Sequence, residues 1–80
     1  MRLVFAKEVA TYIRERVWHR SQELQERPDG SLELRLETSG RKELTPWILS
    51  WLPHVRVIAP LELRERVLKR VRLALISQRS

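Results

Sequence analysis

The stretch SQELQERPDGSLELRLET, Ser21 to Thr38, decides the fold. Leu32, Leu34 and Leu36 alternate with Glu33, Arg35 and Glu37, the period of a strand with one face on a core and the other toward water. Pro28, Asp29 and Gly30 stand just before it. They supply a fixed φ, a side chain able to bond nearby backbone, and a residue tolerant of positive φ, which is the chemistry of a tight turn. The run before the turn, SQELQER, then reads as the partner strand, and 21–38 as a β-hairpin.

Upstream, RLVF at 2–5 is a short strand with Leu3 and Phe5 on one face and Val4 on the other. In KEVATYIRERV, Val9, Ile13 and Val17 recur every fourth residue beside Ala6, Ala10 and Tyr12, which predicts an amphipathic helix over 7–17. Downstream, a second helix is expected over 41–52. Thr45-Pro46 is a good cap and first helical residue, so local chemistry favours a start at Pro46, with Arg41 as the alternative. Pro53 stops this helix. HVRVIA gives a strand over 54–59, with Val55 and Val57 inward and Arg56 outward. Pro60 opens a long helix over 60–77, with Leu61, Leu63, Val67, Leu68, Val71, Ala74 and Leu75 on one half of its wheel and Leu73 and Ile76 outside it.

The order strand–helix–strand–strand–helix–strand is that of a ferredoxin-like βαββαβ sandwich. The fold class is α+β: a four-stranded antiparallel sheet, two short helices on one face through right-handed crossovers, and a C-terminal helix. The other face would carry Val4, Glu33, Arg35, Glu37, Arg56 and Ile58 toward solvent.

Eighty residues make one domain. A chain of this size buries only about 60% of the surface its unfolded form exposes. There is no cysteine, which excludes disulfides and thiolate metal sites. Apolar runs are too short to span a bilayer, and MRLVFAKEVA is too weakly hydrophobic for a signal peptide, so a bacterial-type cytoplasmic protein without membrane contact is expected. Sixteen basic against ten acidic side chains leave a net charge of +6, which favours an anionic partner.

Catalytic chemistry finds little support. His19 and His54 are the only histidines and form neither a triad nor a metal set. The only glycines, Gly30 and Gly40, fall at turns, so no phosphate-cradling loop exists. Neither enzyme activity, a cofactor nor a metal is expected. A base-stacking sheet needs aromatics on its central strands, whereas the outward residues there are Val4, Glu33, Arg35 and Glu37. On the second helix Trp47, Ile48, Leu49, Trp51 and Leu52 cover an arc of about 200° at 100° per residue, twice what one core stripe needs. That excess calls for a second surface, either the terminal helix or another domain or subunit.

Three blocks carry a family resemblance: VWHRSQ within VxxYIRERVWHRSQ, then PDGSLELRLE, then WILSWLPHVRVIAPLELRERV. Together they resemble the C-terminal extension, or WCX domain, of WYL-domain transcriptional regulators, over about Leu3 to Leu75. Leu52 stands where the family usually has glycine, and Pro46 lies within what is generally a longer helix. The resemblance implies a ferredoxin-like module that helps build a dimer and support a sensor, beside WYL and winged helix-turn-helix domains of a parent regulator. The WHxSQ match points to Trp18, His19 and Gln22 as residues facing an effector. Arg14, Arg16 and Arg20 join them on electrostatic grounds. Trp47, Trp51, Leu73 and Ile76 are the interface candidates. The function expected is a non-catalytic regulatory and dimerisation module, a homodimer sensing an anionic effector. The alternative is a small basic domain that binds single-stranded nucleic acid directly.

Overall fold

The computed structural model describes residues 1–37 and 41–79. Its elements are β1 (Arg2–Phe5), α1 (Lys7–Arg14), β2 (Glu23–Glu26), β3 (Leu32–Arg35), α2 (Arg41–Leu49), β4 (Val55–Ala59) and α3 (Leu61–Arg79). The strands form an antiparallel sheet in the order β2-β3-β1-β4, the strand order of a ferredoxin-like sandwich, with α3 appended. The α+β fold read from the hairpin is the fold observed.

The hairpin forms for the reasons its residues give. Arg27 N–H donates to the Ser31 carbonyl and Gly30 N–H to the Arg27 carbonyl, both at 3.0 Å, closing a three-residue loop. Gly30 takes φ +89°, the left-handed position such a loop requires. Asp29 accepts from Ser31 N–H at 2.9 Å and from Ser31 Oγ at 2.6 Å, and these bonds hold its carboxyl below the usual range. The register then sets Leu34 opposite Leu3 and Leu32 opposite Phe5.

That alternation feeds one core. Leu3, Phe5, Leu32 and Leu34 from the sheet meet Ala10 and Ile13 of α1, Ile48 of α2, and Leu63 and Val67 of α3. All three helices therefore share one side of the sheet. α3 lies along β4 and against α2, and only its N-terminal half reaches the core. The strand β4 pairs with β1 on one side, leaving its other edge without a sheet neighbour.

Several expectations shift. α1 ends at Arg14, not Val17, and Val17 is exposed. The cause is Trp18, whose indole Nε1 donates to the Ile13 carbonyl at 3.1 Å and closes the helix end with a side chain. α2 begins at Arg41 and runs through Pro46 to Leu49, so the local preference for a start at Pro46 yields to the packing of Leu44 and the burial of Thr45 ahead of it. Pro46 gives up one ladder bond in doing so. The hairpin's last expected residue, Thr38, lies outside the described residues.

The largest correction concerns the solvent face of the sheet. Val4 and Glu33 are buried, Glu33 with only 2% of its surface exposed. Arg2 donates to its carboxylate twice, Nε to Oε2 at 3.3 Å and Nη2 to Oε1 at 3.1 Å. Arg27 Nη2 reaches Oε1 at 3.2 Å, and Arg35 Nε bonds Oε2. Hydrogen bonds from Arg2 and then Arg35 outweigh burial and hold the carboxyl at about 2.

Candidate functional site

The site is built on the loop between α1 and β2. Gln22 organises it: Oε1 accepts from the backbone N–H of Trp18 and, at 3.1 Å, of His19, while Nε2 donates to the Arg16 carbonyl at 3.3 Å. One amide side chain thus meets three backbone groups that the ended helix leaves without partners. Gln22 N–H returns to the His19 carbonyl at 3.0 Å and closes the turn.

Ser21 ties the loop to the sheet. Its N–H donates to His19 Nδ1 at 3.0 Å, so in the neutral ring the proton sits on Nε2. Ser21 Oγ accepts from Glu37 N–H at 3.0 Å and lies 3.2 Å from the Glu37 carbonyl. The polar members of the motif, His19, Ser21 and Gln22, are therefore mostly spent on holding backbone. They make a scaffold.

Trp18 does more than close the helix. Its ring lies 5.2 Å from Trp47 and 6.0 Å from Trp51, and Phe5 contacts both of those at 5.9 and 5.8 Å. The two groups of candidates thus merge: Trp18 from the motif packs directly on Trp47 of α2 and on Trp51 in the turn that follows it. The wide apolar arc of α2 is largely met by this four-ring cluster within the chain. Leu73 and Ile76 are not drawn in. Both are more than half exposed, on the distal part of α3.

A cleft of about 200 Å³ opens between these parts, lined by Trp18, His19, Leu36, Leu44 and Trp47. It is apolar apart from the imidazole. The arginines stand around the loop with unequal freedom. Arg14 is committed, its Nε and Nη2 donating to Glu26 at 2.6 and 3.2 Å. Arg16 places its Cζ 5.8 Å from the Trp18 ring centroid, a cation–π distance. Arg20 is exposed, and neither Arg16 nor Arg20 has a carboxylate partner among the described residues. The arrangement sets a flat apolar cleft next to the Arg16 guanidinium on Trp18, with the exposed Arg20 following His19 in the chain. Among the described residues no group of three His, Cys, Asp or Glu could hold a metal.

A family model for the WCX domain matches residues 1–75. The chain belongs to the WCX domain family. The match takes in the motif loop, the hairpin, the aromatic cluster and α3 as far as Leu75. WCX is a family of regulatory domains associated with WYL-type regulators, which fits a non-enzymatic role. A comparison with curated proteins finds no match. No helix of this WCX domain is long and apolar enough, over the described residues, to cross a membrane.

Two features escaped the sequence. Glu33 read as one outward residue among several; the signal was that Arg2, Arg27 and Arg35 all fall around it in register. Phe5 read as one more core residue, whereas it sits against both Trp47 and Trp51.

Proposed function

We propose that this WCX domain is the non-catalytic regulatory and dimerising module of a WYL-type transcriptional regulator, working in the cytoplasm beside WYL and winged helix-turn-helix domains. An anionic effector would favour one arrangement of these domains over another, and that population shift would reorient DNA-binding heads. The observation that carries the reading is the apolar surface left open along α3, where Leu61, Leu68, Val71, Leu73, Leu75 and Ile76 are all exposed. A lone domain has no use for such a surface, and a subunit does. The effector would meet Arg16 and Arg20 beside the Trp18–Trp47 cleft. Sedimentation equilibrium of the chain tests the assembly: a dimer at micromolar to millimolar concentration is expected, and a monomer throughout that range overturns it.

One observation favours a second reading, direct binding of single-stranded nucleic acid. With Glu33 enclosed by Arg2, Arg27 and Arg35, the open sheet face is less acidic than its sequence implies. A salt titration with a short oligonucleotide separates the readings. Affinity that falls steeply with salt in the isolated chain, and is lost in Arg2→Ala/Arg35→Ala, supports the second.

A further inference from the structure

Leu61, Leu68 and Leu75 recur every seventh residue along α3, and Val71 fills the interleaved position, the spacing of a coiled-coil seam. All four are between 39 and 64% exposed. They do not face the core, which Leu63 and Val67 reach from a direction about 100° away at 100° per residue. Instead the seam borders a groove of about 350 Å³ between α3 and the unpaired edge of β4, with Leu52 and Ile58 on its far wall. The side of a second helix would fit there.

Charge says which helix. Of the charges that flank the seam on one side, Glu65 lies toward the start of α3 and Arg72 two turns further along it. A parallel copy would set like charges side by side. An antiparallel copy sets Glu65 against Arg72, and the helix dipoles oppose favourably as well. Resting on the dimerising role proposed above, we infer that α3 pairs antiparallel with α3 of a second copy in the groove beside β4. The two-fold axis passes between Leu68 and Val71, so each Leu68 meets Val71 of the second copy. Residues flanking the seam on one side, Glu65 and Arg72, then face Arg72 and Glu65 of the second copy, the reciprocal pairing a two-fold interface demands. Arg64, the one charge within the seam, comes beside the C-terminal turn of the second helix, where a cation is favoured. The arrangement also covers the free edge of β4. Leu73 and Ile76 remain outside it, on the basic side of α3.

The absence of cysteine makes the geometry directly measurable. Glu65→Cys and Arg72→Cys chains, distinguished by a mass tag, are treated with a short bismaleimide alone and mixed. The mixture should give the crossed dimer, and neither variant alone should cross-link comparably. Efficient linking of Glu65→Cys to itself means a parallel seam and overturns the inference. Leu68→Arg, at an exposed position that leaves the circular dichroism intact, should weaken the dimer at least tenfold in sedimentation. An unchanged dimer in Leu68→Arg removes this seam while the dimerising role stands. A monomeric wild-type chain removes both.

Discussion

Replacing Glu33 by glutamine tests the least expected feature of the fold. The glutamine keeps the volume and one acceptor oxygen but removes the charge that Arg2, Arg27 and Arg35 converge on. A carboxyl held at about 2 against an ordinary 4.5 corresponds to about 3 kcal/mol of folding stability at neutral pH. The three arginines remain a third to a half exposed, so water screens each pair and about 1–2 kcal/mol is the realistic loss. For a domain of this size that lowers Tm by roughly 5–15 °C at pH 7. The pH dependence fixes the cause. The folded-state pKa is depressed, so the stabilisation is complete above about 4.5 and is lost as pH falls toward about 2. Thermal melts of both chains between pH 7 and pH 2 should therefore converge in acid. Equal stability at pH 7, or a gap that persists unchanged at pH 2, refutes the reasoning.

Four further substitutions probe the motif, the hairpin and the two halves of α3. Gln22→Ala strands the N–H groups of Trp18 and His19, so a loss of about 1–3 kcal/mol in urea unfolding is expected, with red-shifted tryptophan emission as Trp18 loosens. Gly30→Ala must hold a positive φ with its Cβ 3.3 Å from Lys7 Cβ, which should cost about 1–2 kcal/mol by the same measurement; a neutral result counts against the turn geometry. Leu63→Ala, in the core, should lose about 2–5 kcal/mol, whereas Leu73→Ala should stay within about 0.5 kcal/mol in the monomer.

Sheet and helix layer were legible because their signals are periodic and local. The strict alternation at 32–37 and the turn at 28–30 admit only one hairpin register, and the spacing of Ala10 and Ile13 marks the buried face of α1. What escaped depended on contacts between distant residues. No local pattern ends α1 at Arg14; the indole that closes it comes from beyond the helix. Pro46 carries a start signal that the packing of Leu44 and Thr45 before it overrides. Glu33 looks like any outward carboxylate until Arg2, 31 residues away, is laid beside it. The motif was legible as a unit, but its division of labour was not. His19, Ser21 and Gln22 hold backbone, whereas Arg16 and Arg20, added on charge and not by the motif, have no carboxylate partner among the described residues.

This division connects stability to regulation. The α1–β2 loop is rigid because its polar groups are internally satisfied, so Trp18 can hold Trp47 and Trp51 against Phe5. α2 in turn packs on α3, whose distal half has no core beneath it. Most helical stability in proteins comes from burying an apolar face, so a partner covering that half would add to its stability. A ligand settling between Trp18 and Trp47 would press on the helix that sets the angle of α3. A change of a few degrees there moves the far end of a 19-residue helix by ångströms. On the proposed reading, the domain is tightly bonded where it would meet a ligand and open where it would meet a neighbour, the mechanical requirement for passing one event to the other.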